Sequence, residues 1–240
     1  MLVAAAVRTF SQPKPALMND PEIRALLYPL LLGGVYIDEL PTGTTRADVV
    51  HITPDFLHGY EVKGDADTLQ RVPNQLRCYA EVYDFVTFVV TEKHLPKLLP
   101  LLPDWVGILV ATGEELRPHR AARYNATVEP APLASLLLLE EVKQFLLARG
   151  LHGVSSLRRA EVLHFLRTTQ LVPLSSLAQY VRERLMARLP ERMAARAERK
   201  EERQRLAGLR KRRQARKAAR KKARPAPAAT KPAKKTPKAK

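Results

Sequence analysis

The sequence holds a single cysteine, Cys78, so no disulfide can form within the chain, and a reducing cytosol is the compartment it suits. Aromatic residues make up only 6% of the chain and none follows Tyr180, which excludes base stacking as the means by which the C-terminal region would engage a partner. No apolar run reaches about 18 residues without a charge, so no membrane span is expected. Met1–Phe10 is apolar but leads to no cleavage-site pattern and does not read as a signal peptide. The six histidines are scattered: His51 and His58 bracket one turn, and neither stands at zinc-site spacing from a partner or from Cys78. A Gly-rich phosphate loop, a serine nucleophile elbow and an H-E-x-x-H pair are all missing, so no nucleotide cofactor is expected.

Positive charge is present in excess and in one place. The chain carries 41 Lys and Arg against 24 Asp and Glu, a net charge of +17. Residues 191–240 contain 21 of the former and 4 of the latter, which accounts for the whole surplus and leaves residues 1–190 balanced at 20 against 20. A tail of this density neutralises phosphates without reading bases, which predicts salt-sensitive, sequence-independent affinity for nucleic acid. Glu191–Arg224 is rich in helix formers, whereas Pro225–Lys240 has the composition of a disordered segment. Arg212, Arg213, Lys221 and Lys222 stand for the phosphate contacts such a tail would make.

The remaining chain alternates strands and helices. Asn19 or Asp20 can cap a helix that has Pro21 at its start and Glu22 in its first turn, with Pro29 as a kink or end and Gly33-Gly34 as its stop. Val35–Leu40 reads as a short strand or loop and Pro41–Thr45 as a polar connection. Arg46–Ile52 is apolar with Asp48 near its head, and Thr53, Pro54 and Asp55 form a turn. Gly59–Gly64 is extended, Leu69–Val82 is helical with Pro73 either beginning or bending it, and Phe85–Thr91 and Trp105–Ala111 are buried strands. Gly113–Val128 is a locally basic return segment that includes Arg120 and Arg123. After Pro130 come helices at Leu133–Ala148, Leu157–Arg167 and Leu174–Leu189, packed on the sheet or forming a satellite bundle. A helix-turn-helix role would fall to Arg158, Arg159 and Arg167. The organisation is therefore an α/β core over residues 1–130, a helical extension over 131–190 and a basic, helical-to-disordered tail over 191–240.

Within the core, strand alternation puts Glu61 and Lys63 on one face and Val62 on the other. If the next helix begins near Pro73, Gln75 and Tyr79 lie four apart on a face that can look toward Lys63. An acid at Asp48, a hairpin, the E-x-K triplet on a strand, then a helix and a strand together resemble the PD-(D/E)xK nuclease superfamily, and within it a small bacterial and phage group. The likeness covers roughly residues 20–125. Ala47-Asp48 replaces the Pro-Asp of the superfamily name, and Pro54-Asp55 belongs to the turn.

The resemblance implies a restriction-endonuclease-like mixed sheet flanked by helices. It makes Asp48 and Glu61 ligands of Mg2+ or Mn2+, Lys63 the catalytic lysine, and Gln75 and Tyr79 neighbours of the site. Glu22 and Glu39 compete with Asp38 as the upstream acid, Glu22 having helix capping as its alternative. Arg46, Arg71 and Tyr79 would approach the nucleic acid, as would Arg120 and Arg123. The expected function is divalent-metal-dependent hydrolysis of phosphodiester bonds, in DNA, by a cytoplasmic, bacterial or phage-encoded and nucleoid-associated enzyme. Two other readings stay open: a non-catalytic nucleic-acid-binding protein with a degenerate nuclease core, and hydrolysis of another phosphoester with the tail as a localising device. For Glu61 and Lys63 the plain alternative is a solvent-facing ion pair.

Overall fold

The computed structural model describes residues 17–222, of which the side chains of Lys200 and residues 216–222 lie outside the description. The expectations for Met1–Phe10, for the lead-in through Pro15 and for Pro225–Lys240 fall outside the described residues. The chain divides into two units, Met1–Leu189 and Pro190–Lys240.

Helix α1 spans Asp20–Leu27 and is started by Asn19, whose side chain accepts from the Glu22 N–H while the Glu22 carboxylate accepts from the Asn19 N–H. This reciprocal cap satisfies two donors that a helix start leaves unpaired. Ile23 and Leu27 form its buried stripe, and Pro29 falls in the 3-10 turn Tyr28–Leu30 that ends it. Six strands follow in a single sheet: β1 Val35–Thr42, β2 Thr45–Ile52, β3 Leu57–Lys63, β4 Phe85–Thr91, β5 Gly107–Ala111 and β6 Leu116–Arg120. Their spatial order is their chain order. The first three are antiparallel, β3, β4 and β5 are parallel, and β6 returns antiparallel to β5. The sheet is mixed and open, and helices flank it, as the α/β reading anticipates.

Parallel strands require crossovers, and two short helices supply them: α2 Val72–Ala80 between β3 and β4, and α3 Leu95–Leu98 with a further 3-10 turn between β4 and β5. Pro73 sits in the first turn of α2, where its missing N–H costs nothing, so it begins the helix rather than bending it. The polar connection expected at Pro41–Thr45 is instead mostly strand. Only Gly43 and Thr44 turn, with Gly43 in the left-handed region at φ +58°. A side chain on Gly43 would meet Cys78 of α2, its Cβ lying 2.9 Å from Sγ. Gly59 has a similar role on β3, where a Cβ would come within 2.5 Å of the Tyr83 ring.

Beyond β6 the chain is helical: α4 Pro130–Ala134, α5 Leu139–Leu147, α6 Arg159–Thr168 and α7 Leu174–Ala187. The helix expected over Leu133–Ala148 is broken at Ser135–Leu138, where Glu141 turns back to accept from the Leu138 N–H and starts a new helix. Two apolar clusters line the sheet. The larger joins Val50, Leu57, Val86, Phe88, Val90 and Ile108 to Tyr79 and Tyr83 and to Leu133, Phe145, Leu166, Leu177 and Leu185, so the helices of residues 130–187 share a core with the sheet. The smaller joins Val49, Tyr60, Val62, Val89 and Ala111 to Ile23 and Leu27 of α1.

Helix α8, Leu189–Lys222, accounts for the described part of the second unit. Its described residues from 203 to 215 are all exposed.

Candidate functional site

Strand β3 holds Glu61 and Lys63 on the face that α2 covers, and both are 1% exposed. Lys63 Nζ lies 2.5 Å from Glu61 Oε1 and Gln75 Nε2 lies 2.5 Å from the same oxygen. The Tyr79 hydroxyl is 2.6 Å from Glu61 Oε2 and 2.9 Å from the Arg46 carbonyl. The i, i+4 spacing of Gln75 and Tyr79 on α2 brings both to the same carboxylate. Burial, and then the Glu61 charge, push the Tyr79 phenol well above its ordinary range, so it stays protonated and donates. The pair is not the solvent-facing ion pair of the plain alternative. It is a desolvated pair whose carboxylate has two neutral donors besides the ammonium.

Asp48 belongs to a second network on the same sheet. Its Oδ2 accepts from the Val62 N–H at 2.8 Å, its Oδ1 accepts from Arg24 Nη2 at 3.1 Å, and its carbonyl accepts from Arg24 Nη1 at 2.7 Å. Arg24 also pairs with Asp20 on its own helix and with Glu39 Oε1 at 2.7 Å. One guanidinium thereby ties α1 to β1 and β2, a use that its fork of donors suits and a lysine would not. Burial, followed by repulsion from Glu61, raises the Asp48 carboxyl to about 7, against the pull of the Val62 N–H, Arg24 and Lys63. Opposite Asp48 on β1, Glu39 adopts φ +57°, in the left-handed region. Strand alternation fails there: Ile37 and Leu40, three apart, both join the larger cluster, while Ala47 and Val49, two apart, join different ones. Arg24 was invisible to motif reading. Its only sequence signal is a cation beside the buried stripe of α1, four residues after Asp20.

The acids that competed for an upstream role are all engaged in the fold. Glu22 completes the α1 cap. Asp38 accepts from the Tyr28 hydroxyl at 2.9 Å, and Glu39 pairs with both Arg24 and Arg46. Of the expected nucleic-acid contacts, Arg46 is held by Glu39 at 2.5 Å and Tyr79 is turned inward to Glu61. Arg120 is spent on the Val106 carbonyl and Asp104. Arg71 and Arg123 are exposed. Arg159, from the helix-turn-helix reading, donates to the Ser135 and Leu137 carbonyls. Arg212 and Arg213 are exposed on α8, and the side chains of Lys221 and Lys222 lie outside the described residues.

The carboxylates of Asp48 and Glu61 are both engaged within the fold. Each oxygen of Asp48 and of Glu61 accepts from a protein donor, while Gln75 Oε1 is buried with no hydrogen-bond partner among the described residues. Among the described residues, no three His, Cys, Asp or Glu side chains are grouped so as to hold a metal ion. The five carboxylates of Asp20, Asp38, Glu39, Asp48 and Glu61 stand against Arg24, Arg46 and Lys63. That balance of fixed side-chain charge is net negative, which does not attract a phosphate.

One comparison with known proteins, the family model, bears on the nuclease reading. The family model described as bacteriophage P4 protein cII matches residues 30–212, which take in the sheet, the helices after it and much of α8. Among curated proteins none matches the chain. A solved structure of a protein of unknown function from Silicibacter pomeroyi is similar at 18% identity and a TM-score of 0.38, over 60% of this chain and 99% of that one. The family match overturns the resemblance to the PD-(D/E)xK superfamily and, with the missing metal-ligand group, the expectation of a metal-dependent nuclease or hydrolase. The E-x-K triplet with its Gln and Tyr forms a buried hydrogen-bonded network in which Gln75 Oε1 has no partner among the described residues, and Asp48, Glu61, Lys63 and Gln75 are not assigned as catalytic residues. Among the described residues no helix is long and apolar enough to cross a membrane.

Proposed function

The chain belongs to the bacteriophage P4 protein cII family, and from that premise we propose that it is a non-catalytic, phage-encoded nucleic-acid-binding protein. The observation that carries this reading is the separation of charge. All of the +17 surplus lies in residues 191–240, while the polar cluster of the sheet is acidic and internally paired. Phosphates are attracted to the first region and not to the second. The family assignment supports a regulatory role in which DNA is held rather than cut.

The reading is tested by fluorescence anisotropy of a labelled DNA against the full chain, with and without EDTA. Binding that is unchanged by EDTA and weakens by about 10³–10⁵ between 50 and 200 mM salt is expected for about 6–10 phosphate contacts. Incubation of the same DNA with Mg2+ or Mn2+ should leave its length unchanged. Cleavage products that require either metal would refute the non-catalytic reading, and an absence of binding at 50 mM salt would refute the nucleic-acid partner.

A further inference from the structure

Helix α8 is two helices in charge. Its first 14 residues, Leu189–Glu202, carry four Arg or Lys and four Glu, whereas Arg203–Lys222 carries eleven Arg or Lys and no acid. Over the described side chains of the cationic half, the arginines are also ordered around the axis. At about 100° per residue, Arg203 and Arg210 fall on one row, and Arg205 and Arg212 on another row roughly 160° away. Between the two rows lie Leu206, Leu209 and Arg213. The opposite side holds Ala207, Gly208 and Ala215, with Lys211. Leu206 is 45% exposed and Leu209 is 53% exposed, an unusual placement for two leucines in so polar a helix.

We propose that the face centred on Leu206 and Leu209 enters the major groove of duplex DNA, with the Arg203/Arg210 and Arg205/Arg212 rows gripping the phosphate walls on either side. This rests on the nucleic-acid reading above and gives it a site and a substrate class. The B-form major groove is about 12 Å wide and admits an α-helix. A helix seated there presents its central line to the base edges and its flanks to the two backbones. Arginine is suited to the flanks because its fork binds phosphate in two places. Leucine on the central line meets thymine methyls, an apolar contact that releases no counterions. A-form RNA duplexes are disfavoured because their major groove is too deep and narrow for side chains to read. Single strands are disfavoured because the helix has no aromatic ring on which an unpaired base could stack. The balanced first half of the helix contributes no grip.

Anisotropy titrations of the full chain against a mixed-sequence 30-bp DNA duplex, the same sequence as an RNA duplex, and one of its DNA strands test the assignment. The DNA duplex should bind at least about 10-fold more tightly than either alternative. R205A/R212A should lower the slope of log Kd against log salt by about 1.8, since each phosphate contact contributes about 0.9. L206S/L209S should weaken duplex binding about 5- to 10-fold and leave that slope unchanged, and A207S/A215S on the opposite side should change neither. Circular dichroism of each variant confirms that the helix is retained. Equal affinity for RNA duplex or single strand would overturn the proposal, as would a silent L206S/L209S or an A207S/A215S effect of the same size. If neither DNA binds at low salt, the nucleic-acid reading itself fails, which is a different result from binding that ignores these variants.

Discussion

Lys63 and Arg212 carry the same charge in opposite surroundings. Lys63 is 1% exposed, in contact with Glu61 beneath α2, while Arg212 stands in water on α8. The difference lies in which partner neutralises each. A desolvated ammonium must have its counter-charge within the fold, because an isolated buried ion costs far more than the chain can offset. A solvated guanidinium needs none, and is available to whatever anion arrives. Charge that the fold consumes and charge that it displays are therefore told apart by burial and pairing, and not by residue type.

The largest effect expected from breaking this contrast is at Lys63. Lys63→Ala leaves Glu61 buried without its cation and should cost about 3–5 kcal/mol in urea denaturation, with DNA affinity unchanged in whatever fraction stays folded. Glu61→Gln combined with Lys63→Met removes both charges and should recover most of that loss. A single variant costing under about 1 kcal/mol would mean that the pair is not what closes the network.

Asp48 gives the next effect. Its folded-state pKa of about 7 is above the ordinary carboxyl value, so the native state binds this proton more tightly than the unfolded chain does. The stability it adds is fully present below about pH 4 and is lost as pH rises to about 7, by on the order of 2–4 kcal/mol. Asp48→Asn should flatten that part of the stability profile measured by denaturation between pH 4 and 8, and an unchanged profile would assign the loss to other groups. Asn19→Ala, which removes the α1 cap, should cost about 1 kcal/mol and lower the melting temperature without touching DNA binding. The smallest effect on stability belongs to R205A/R212A, which should stay within about 0.5 kcal/mol of the parent while altering the salt dependence of binding. A larger loss would show that these arginines serve the fold as Lys63 does.

Much of the scaffold could be read in the residues because it is local. The apolar run of β4, the cap and Pro21 of α1, the start of α2 at Pro73 and the shared face of Glu61 and Lys63 follow from periodicity and backbone chemistry over a few residues. What could not be read is long-range or non-repetitive. Arg24 reaches Asp48 across 24 residues of chain, and Glu39 takes a left-handed conformation that no glycine advertises. The break between α4 and α5 hides inside a run of leucines that suits a continuous helix. The nuclease reading failed for a related reason. An E-x-K triplet with Gln and Tyr on the next helix is a set of polar residues converging on one place, and convergence alone names neither a family nor a chemistry.

The two outer strands of the sheet have a consequence for how copies of this protein can meet. β6 presents Pro118, which has no N–H to offer a new strand, between exposed Arg117 and His119. β1 is interrupted at Glu39 by a left-handed residue, which breaks the straight run of donors and acceptors that an incoming strand would need. Addition of sheet to sheet is thus hindered at both margins, by the proline ring of Pro118 and by the backbone torsion of Glu39. High local concentration of the protein would not by itself seed a fibril through these two edges.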